Sequence, residues 1–543
     1  MKKILISLIL ILSLVLSGCD FLTPHDTDEM GNESGSQNET SGSDSSQSGD
    51  TSGSGGSSSN IGSKECDGET HADNDNNGKC DGCSISVLTE LNFFVLNDFH
   101  GKMTDSGTQP GAEELSSYLK QRAANEPNAI ILSSGDMWQG GAESNLTKGL
   151  LVTEWMNELD FVSMTLGNHE YDWGEEYIEA NCELAEFPFL AINVYDTETN
   201  ERVEYCQGSV MIERGGIEIG IIGAIGDCYS SISSDKTEGV YFKVGSELTA
   251  LVKAESEKLR GEGADLIVYS LHDGHTKSTS SSVITDGYLR GYYDPSLSSG
   301  DYVDIVFEAH THRTYNFRDL YGVYHIQAGG DNEALSHAEV KVNFANGSTV
   351  VTDTSIVSSD VYDDFAEDPY MDLLFEKYEE LISDANVVLG TTSSYRSSTY
   401  LRKLVAELYY EFALKQYGDE YDIALGGGYI SIRSPYELEA GEVTYSDLMM
   451  LFPFDNPLVL CSIKGYHLRT KFFETSNSDY FIAYGEYGES IKDNIDDNAT
   501  YYVLVDTYTS QYAPNRLTVI EAYRPDFFAR DLLAEYIKSG GLE

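Results

Sequence analysis

Gly167-Asn168-His169-Glu170-Tyr171-Asp172-Trp173-Gly174 follows the apolar run Phe161 to Leu166. An amide, an imidazole and a carboxylate therefore stand between glycines just past a predicted strand, where a carbonyl, a ring nitrogen and an acid can share one strand end. Alone, the stretch is weak, because a histidine in a strand-to-helix turn is more often a cap or a surface residue. Its weight comes from four other strand-like runs with similar endings. Leu91 to Leu96 leads into Asn97-Asp98-Phe99-His100, and Ala129 to Leu132 leads into Gly135-Asp136. Leu266 to Leu271 runs into His272, and Val303 to Phe307 leads to His310-Thr311-His312.

Between these strands the spacing predicts helices over Gly111 to Ala124, Gly149 to Leu159 and Leu251 to Gly261, with further strands at Phe189 to Val194 and Ile217 to Ala224. Strands alternating with helices of this length predict a layered α/β fold. In such a fold the residues past the carboxyl ends of strands converge on one edge. Asp98, His100, Asp136, Asn168, His272, His310 and His312 would then offer oxygen and nitrogen ligands together. That set suits two divalent ions of zinc, manganese, cobalt or iron type held about 3.5 to 4 Å apart, a pair that clamps a phosphoryl group and activates water. One carboxylate must bridge them, and Asp136, alone after a glycine, is the candidate. His272 also reads as a core histidine, and His275, three residues on, is its decoy.

The formal charge of -56, from 90 acidic and 34 basic residues, excludes nucleic-acid binding, since nothing would neutralise a phosphate backbone. An anionic substrate needs a local positive centre, which a metal pair supplies.

The chain opens with Met1-Lys2-Lys3, an apolar run from Ile4 to Leu16 and then Leu16-Ser17-Gly18-Cys19. This resembles a bacterial lipoprotein signal, so residues 1–19 are expected to be a signal peptide whose cleavage leaves Cys19 acylated and the protein lipid-anchored to the membrane outside the cytoplasm. Residues 20–65 are rich in Ser, Gly, Asp, Asn and Glu and read as a flexible tether. Residues 66–85 form a small module in which Cys66, His71, Cys80 and Cys83 suit a zinc site. A disulfide to Cys66 competes with that reading, as does a calcium loop begun by Asp73-Asn74-Asp75-Asn76-Asn77-Gly78. A first domain follows at 86–355, then a linker segment at 356–385 with a helix over Asp368 to Ile382. A second domain covers 386–543, with helices at Leu401 to Leu414 and Phe527 to Ile537 and a glycine-rich turn at Gly426 to Gly428.

The ordered series Asn97-Asp98-x-His100-Gly101, Gly135-Asp136, Gly167-Asn168-His169-Glu170, His272 and His310-x-His312 resembles the calcineurin-like metallophosphoesterases. Within them it is similar to the 5'-nucleotidase family, which includes UDP-sugar hydrolases. The resemblance implies a four-layer metallophosphoesterase sandwich followed by an α+β substrate-binding domain. It also implies a division of roles. Asp98, His100, Asp136 and His312 hold one ion, and Asp136, Asn168, His272 and His310 hold the other. His169 faces the phosphate and is oriented by Asp172.

Gly441 to Leu448 and Phe452-Pro453-Phe454-Asp455-Asn456 are similar to the family's nucleotide-binding domain, which makes Phe454 and then Tyr508 the candidates to stack on a base. Arg396, Arg402 and Arg433 are candidate phosphate or carboxylate contacts. The chain departs from the family pattern at Ala309, where a glycine is usual. It departs again at Leu425-Gly426-Gly427-Gly428, where Asn is replaced by Leu and the following arginine, Arg433, is shifted by three. A late Gly-Gly-Asp-Gly-aromatic stretch is replaced by Ser510 to Arg516. Such losses can change discrimination between substrates by orders of magnitude. The expected activity is 5'-nucleotidase. The alternatives are a nucleotide-sugar or dinucleotide pyrophosphatase, a 2',3'-cyclic-nucleotide phosphodiesterase with 3'-nucleotidase activity, and a surface binding lipoprotein with a vestigial metal site.

Overall fold

The computed structural model describes residues 71–105, 110–233, 236–275, 293–299, 302–430, 432–433, 437–472, 481–485, 495–512 and 516–542. The expected signal peptide, Cys19, the tether and Cys66 lie outside them. The chain divides into a small unit ending at Val87 and a large one from Leu88 onward.

In the small unit, Asp73 accepts the backbone N–H of Asn77 at 3.0 Å and of Gly78 at 2.9 Å, closing a tight loop. Lys79 and Ser86 form a β-bridge beyond it.

The large unit begins with Leu88–Leu96, where residues on both faces are buried because both faces meet an apolar layer. Its sheet runs Ser348–Ser358, Ala334–Asn343, Leu88–Leu96, Ala129–Ser133, Met164–Thr165 and Phe189–Leu190. The last four strands are parallel, and the first two antiparallel. A second six-stranded sheet runs Thr314–Arg318, Tyr324–Ala328, Ile305–Glu308, Leu266–His272, Ile217–Ile225 and Ser209–Arg214, with its four central strands parallel. Phe93, Val95 and Leu132 of the first sheet meet Ile221, Val268 and Phe307 of the second in one core. Burying each such side chain contributes about 1.5–3 kcal/mol.

On the outer face of the first sheet, Phe94 and Leu96 share a core with the helices Ala112–Asn125, Leu150–Glu158 and Pro369–Ile382. On the outer face of the second, Ile267, Tyr269 and Leu271 pack with Leu248, Val252 and Leu259 of the helix Ser246–Glu262. Helix, sheet, sheet and helix give the four layers that the resemblance implies.

Three elements differ from expectation. Of Phe161 to Leu166 only Met164–Thr165 pairs as a regular strand, although the N–H groups of Val162 and Leu166 still bond to Ile131 and Leu190. Phe189 to Val194 splits into Phe189–Leu190 in the first sheet and Val194–Asp196, which pairs with Val240–Phe242. The helix Pro369–Ile382, capped by Asp368, is not a free connector, because it buries Met371, Leu374 and Tyr378 against the first domain.

The second domain is a five-stranded sheet in the order Phe481–Tyr484, Ile423–Tyr429, Thr500–Asp506, Leu458–Lys464 and Leu517–Ala522. The glycine-rich stretch expected as a turn is part of the strand Ile423–Tyr429. A Cβ on Gly426 would strike the backbone of Tyr410 in the helix Ser398–Tyr417, so the missing side chain lets helix and strand approach. Ala142 of the first domain, Met449 of the second and Ala385 between them share a small apolar cluster.

Candidate active site

All five expected strand ends reach one edge of the facing sheets. Asp98, His100, Asp136, His310 and His312 hold positive φ angles of 49°, 53°, 56°, 66° and 49°. Left-handed backbone is uncommon for such residues and gathers at functional sites, where surrounding contacts hold it. Here those contacts are visible. The backbone N–H of His310 donates to both oxygens of Asp98, at 3.0 Å each, and Asn97 donates to Asp98 Oδ2 at 2.8 Å. The N–H of His169 donates to Asp136 Oδ1 at 2.8 Å. Gly167 is required in this loop, since a Cβ there would collide with Asp136 Oδ1 and the His272 ring.

Two groups of ligand atoms result. His100 Nδ1 lies 2.9 Å from the carbonyl of Gln139, which can only accept, so Nε2 carries the lone pair. That nitrogen is 3.0 Å from His312 Nε2, which is 3.4 Å from Asp98 Oδ1. Likewise His272 Nδ1 lies 2.9 Å from the carbonyl of Ser134, and its Nε2 faces Asp136 Oδ2 at 3.1 Å and Asn168 Oδ1 at 3.2 Å. Acceptors converging in this way are satisfied together by a cation. His310 groups with His272 and Cys228 within the same reach, and Asp136 with His100 and His169. The donor set therefore fits divalent ions, with the second nitrogen of both His100 and His272 fixed by a backbone carbonyl.

The electrostatics agree. Burial opposes ionisation of Asp136, but the His272 and His169 rings outweigh it and hold the carboxyl far below its usual range. Burial, Arg433 and His312 push His100 well below the usual imidazole value, leaving a neutral ligand. Burial opposes charge on His272 as well, yet Asp136 raises it to about 10, so the pair draws positive charge that an ion can supply in place of the proton.

His169 stands apart from these groups in its hydrogen bonding. Its Nδ1 is 2.7 Å from Asp172 Oδ2, and its buried Nε2 has no hydrogen-bond partner among the described residues. Burial alone would lower its pKa, but Asp172 and Asp136 raise it, favouring the imidazolium.

Several residues of the site escaped the sequence reading. Glu170 accepts the backbone N–H groups of Gly167, Asp136, Met137 and Trp138 at 2.7, 2.9, 2.8 and 3.4 Å. Asp331, which follows the strand Tyr324–Ala328, donates its backbone N–H to the Asp98 carbonyl at 2.7 Å and lies 3.4 Å from the buried Lys102 ammonium. Gln139 accepts from Arg433 Nη1 at its carbonyl, 3.0 Å, and at its side-chain oxygen, 2.6 Å. Glu170 lies within the Gly167 to Glu170 motif and Gln139 three residues past Asp136, but Asp331 carries no local signal.

The candidates of the second domain separate. Arg433 is buried at the metal-ligand edge, and the Phe454 ring stacks on His169 at 6.4 Å between centroids and 22° between planes. Arg396 instead bonds Thr392 Oγ1 and the Leu542 carbonyl, so its guanidinium is spent within the second domain. Arg402 is buried on the helix Ser398–Tyr417, which packs on the second domain's own sheet. Tyr508 is buried in the short helix Thr507–Tyr512. In the small unit His71, Cys80 and Cys83 bring ligand atoms within 4.8 Å of one another. Cys83 Sγ is 3.6 Å from His71 Nδ1, and Cys80 and Cys83 form no disulfide among the described residues. Backbone N–H groups of Cys83 and Ala72, and then His71, pull the Cys80 thiol down to about 6, which suits a metal-binding thiolate.

Fold and site together define a metal-dependent phosphoesterase. Residues 91–314 match the calcineurin-like phosphoesterase family, and residues 385–486 match the 5'-nucleotidase C-terminal domain. An apyrase of Tabanus yao is 25% identical over 421 residues, covering 70% of this chain and 72% of the relative. A 5'-nucleotidase of Vibrio vulnificus is 25% identical over 420 residues, covering 69% and 74%. Among solved structures, the 5'-nucleotidase precursor of Thermus thermophilus shares the fold with a TM-score of 0.62 at 17% identity, over 83% of this chain and 96% of the other. The 5'-nucleotidase of Candida albicans does so with a TM-score of 0.57 at 15% identity, over 83% and 98%. Residues 91–314 thus form a calcineurin-like phosphoesterase domain and residues 385–486 a 5'-nucleotidase C-terminal domain, a pairing shared with 5'-nucleotidase-type, metal-dependent hydrolases.

Proposed function

We propose that the chain is a 5'-nucleotidase acting outside the cytoplasm, holding two divalent ions and releasing nucleoside and phosphate from nucleoside 5'-monophosphates. Asp98, His100, Asp136 and His312 would hold one ion, and Asp136, Asn168, His272 and His310 the other. When bound, the ion pair supplies Lewis-acid stabilisation of the phosphoryl oxygens and lowers the pKa of water for attack on phosphorus.

The chain's own residues do the rest. His169, charged by Asp172, aims Nε2–H at the oxygens of the transferring group and stabilises the charge that grows there. Arg433 adds a fixed guanidinium from the second domain, a planar donor suited to phosphate. Phe454 offers an aromatic face for a base. The observation that carries this reading is the pairing of His169 with Phe454 and of Gln139 with Arg433 across the two domains. A metal edge alone would suit any phosphate ester, whereas an added cation and aromatic ring suit an ester with a planar base.

Phosphate release from AMP and product analysis with 3'-AMP, cyclic 2',3'-AMP and a UDP-sugar, with and without a chelator, test the proposal. Release from AMP that a chelator abolishes is expected. Preference for either of the other nucleotides or for the sugar conjugate would replace the 5'-nucleotidase reading with the corresponding alternative. Lipid attachment at Cys19 is proposed on the strength of Leu16-Ser17-Gly18-Cys19. Cys19→Ser should release the protein from the membrane fraction.

A further inference from the structure

The outer face of the second sheet carries a separate buried group of titratable side chains that the proposed reaction does not use. Along Ile305–Glu308, Ile305 and Phe307 face the core between the sheets, so Val306 and Glu308 point the opposite way. Ile326 in the next strand also faces that core, which turns His325 to the outer face beside Glu308. His275, just past Leu266–His272, joins them. His275, Glu308 and His325 are all at most 2% exposed.

The arrangement is that of a ligand set. Glu308 Oε1 is 3.2 Å from His325 Nδ1 and 3.7 Å from His275 Nε2, and each of the three residues offers a ligand atom within 4.8 Å of those of the other two. Edges of a tetrahedron around zinc, with bonds of about 2.0–2.2 Å, are about 3.3–3.6 Å long. The outer contacts point the same way. Tyr315 donates its hydroxyl to Glu308 Oε2 at 2.8 Å, leaving Oε1 to the two imidazoles. Asp319 Oδ2 lies 3.7 Å from His325 Nε2, on the side of the ring away from Glu308, and accepts from Ser298 at 2.5 Å. A carboxylate behind a ligating histidine and a hydroxyl behind a ligating carboxylate are the usual supports of a metal site. The walls are aromatic: Phe317 stacks on His325 at 4.9 Å and 5°, and Tyr293 meets the same ring edge-on at 4.6 Å.

We infer that His275 Nε2, Glu308 Oε1 and His325 Nδ1 form a further metal site, distinct from the catalytic edge, that takes a zinc-type divalent ion with a structural role. Two imidazoles and one carboxylate are borderline ligands that favour such an ion over calcium or magnesium. Its position gives it a purpose. His275 follows His272 by three residues, and Glu308 precedes His310 by two, so an ion here pins the strand ends that present two catalytic-edge histidines from behind. The competing occupant is a proton: burial opposes charge on His325, but Glu308 raises it to about 9, and a protonated ring paired with Glu308 would also fill the site.

Metal content and anomalous diffraction separate the two. The full chain would be saturated with zinc, desalted and assayed for bound metal beside His325→Gln and Glu308→Gln, and the wild type would be crystallised for data at the zinc edge. The inference expects each variant to lose one equivalent while keeping the rest. It expects an anomalous peak within bonding distance of the three named atoms. An unchanged metal count in a folded variant, or a wild-type map with peaks at the catalytic edge and none among these three atoms, would overturn it. Since neither readout depends on turnover, failure of the nucleotidase proposal would leave this result intact.

Discussion

Glu170 reaches back to accept the backbone N–H of Asp136 at 2.9 Å, and the same carboxylate holds the N–H of Gly167 at 2.7 Å. One side chain thus ties the loop that carries Asp136 to the loop that carries Asn168 and His169. Burial and the nearby Asp136 charge push the Glu170 carboxyl up to about 7, against the pull of those N–H groups. Glu170→Ala would leave buried donors unpaired, each costing about 1–3 kcal/mol. Activity or metal affinity should fall about 10–100-fold, the usual loss when a supporting group is removed. Glu170→Gln, which keeps one accepting oxygen, should lose less. Metal titration followed by phosphate release measures both, and equal activity of wild type and Glu170→Ala would show that the loops do not depend on this carboxylate.

His169 and Asp172 can be separated from metal binding by mutation. Since His169 Nδ1 is engaged by Asp172 and Nε2 has no hydrogen-bond partner among the described residues, His169→Asn should lower kcat about 10²–10⁴-fold. Metal content should remain that of the wild type. Asp172→Asn keeps the ring in place but weakens its charge, so its loss of kcat should be smaller. Loss of metal by His169→Asn would instead make His169 a ligand.

The strand ends were legible because two signals coincide there: an apolar run of strand length, and a metal-ligand residue type just beyond it. Asp98, His100, Asp136, Asn168, His272, His310 and His312 carry both, and the fold gathers all seven. The glycines at 426–428 misled because a residue without a side chain shows no hydrophobic period, and the neighbours that leave no room for a Cβ lie on other elements: Tyr409 and Tyr410 of the preceding helix for Gly426, Ile482 and Ala483 for Gly427, and Thr509 for Gly428. Asp331 and Gln139 were illegible for a related reason. Their partners, Asp98 and Arg433, are hundreds of residues away, and neither position breaks a local pattern. Arg396 had the right chemistry for a pocket, but side-chain type alone carries no information about its neighbours, here Thr392 and the Leu542 carbonyl.

Arg433 and Phe454 predict different kinetic losses. Phe454 is half-buried and touches the site through its ring face, so Phe454→Ala should raise KM for a nucleotide, with stacking worth about 1–3 kcal/mol. Turnover of glycerol phosphate, which has no ring to stack, should change little. Arg433→Ala should reduce turnover of both. Equal losses for nucleotide and small ester in Phe454→Ala would remove the ring from substrate recognition.

Asp455 joins the domains. Its carboxylate meets Lys148 of the first domain at 3.0 Å and, on its other oxygen, the buried Arg530 guanidinium. Burial opposes its ionisation, but Arg530 and Lys148 lower its pKa to about 2. A lowered pKa means stability that is present above the unfolded value of 3.8 and lost as pH falls towards 2. Asp455→Ala, which strands a buried arginine, should cost about 3–5 kcal/mol at neutral pH. Lys148→Ala should cost much less, because Arg530 keeps its partner. Urea unfolding at pH 7 and pH 3 measures the difference, and the gap between wild type and Asp455→Ala should narrow at the lower pH.

Asp506 carries the opposite sign. It ends the strand Thr500–Asp506, is buried, and accepts the backbone N–H of Thr509 at 2.7 Å. Burial raises its pKa from 3.8 to about 6, with the Thr509 groups only partly offsetting it. Stability tied to this group is therefore complete below pH 3.8 and lost as pH rises through about 6, because the ionised form is disfavoured in the fold. Asp506→Asn keeps an oxygen for the Thr509 N–H and cannot ionise, so it should be more stable than wild type at pH 8, by up to about 3 kcal/mol. At pH 4 the two should be nearly equal. Parallel urea titrations at pH 4 and pH 8 test this. A wild type as stable as the variant at pH 8 would mean that the Thr509 hydrogen bonds fully offset the burial of the charge.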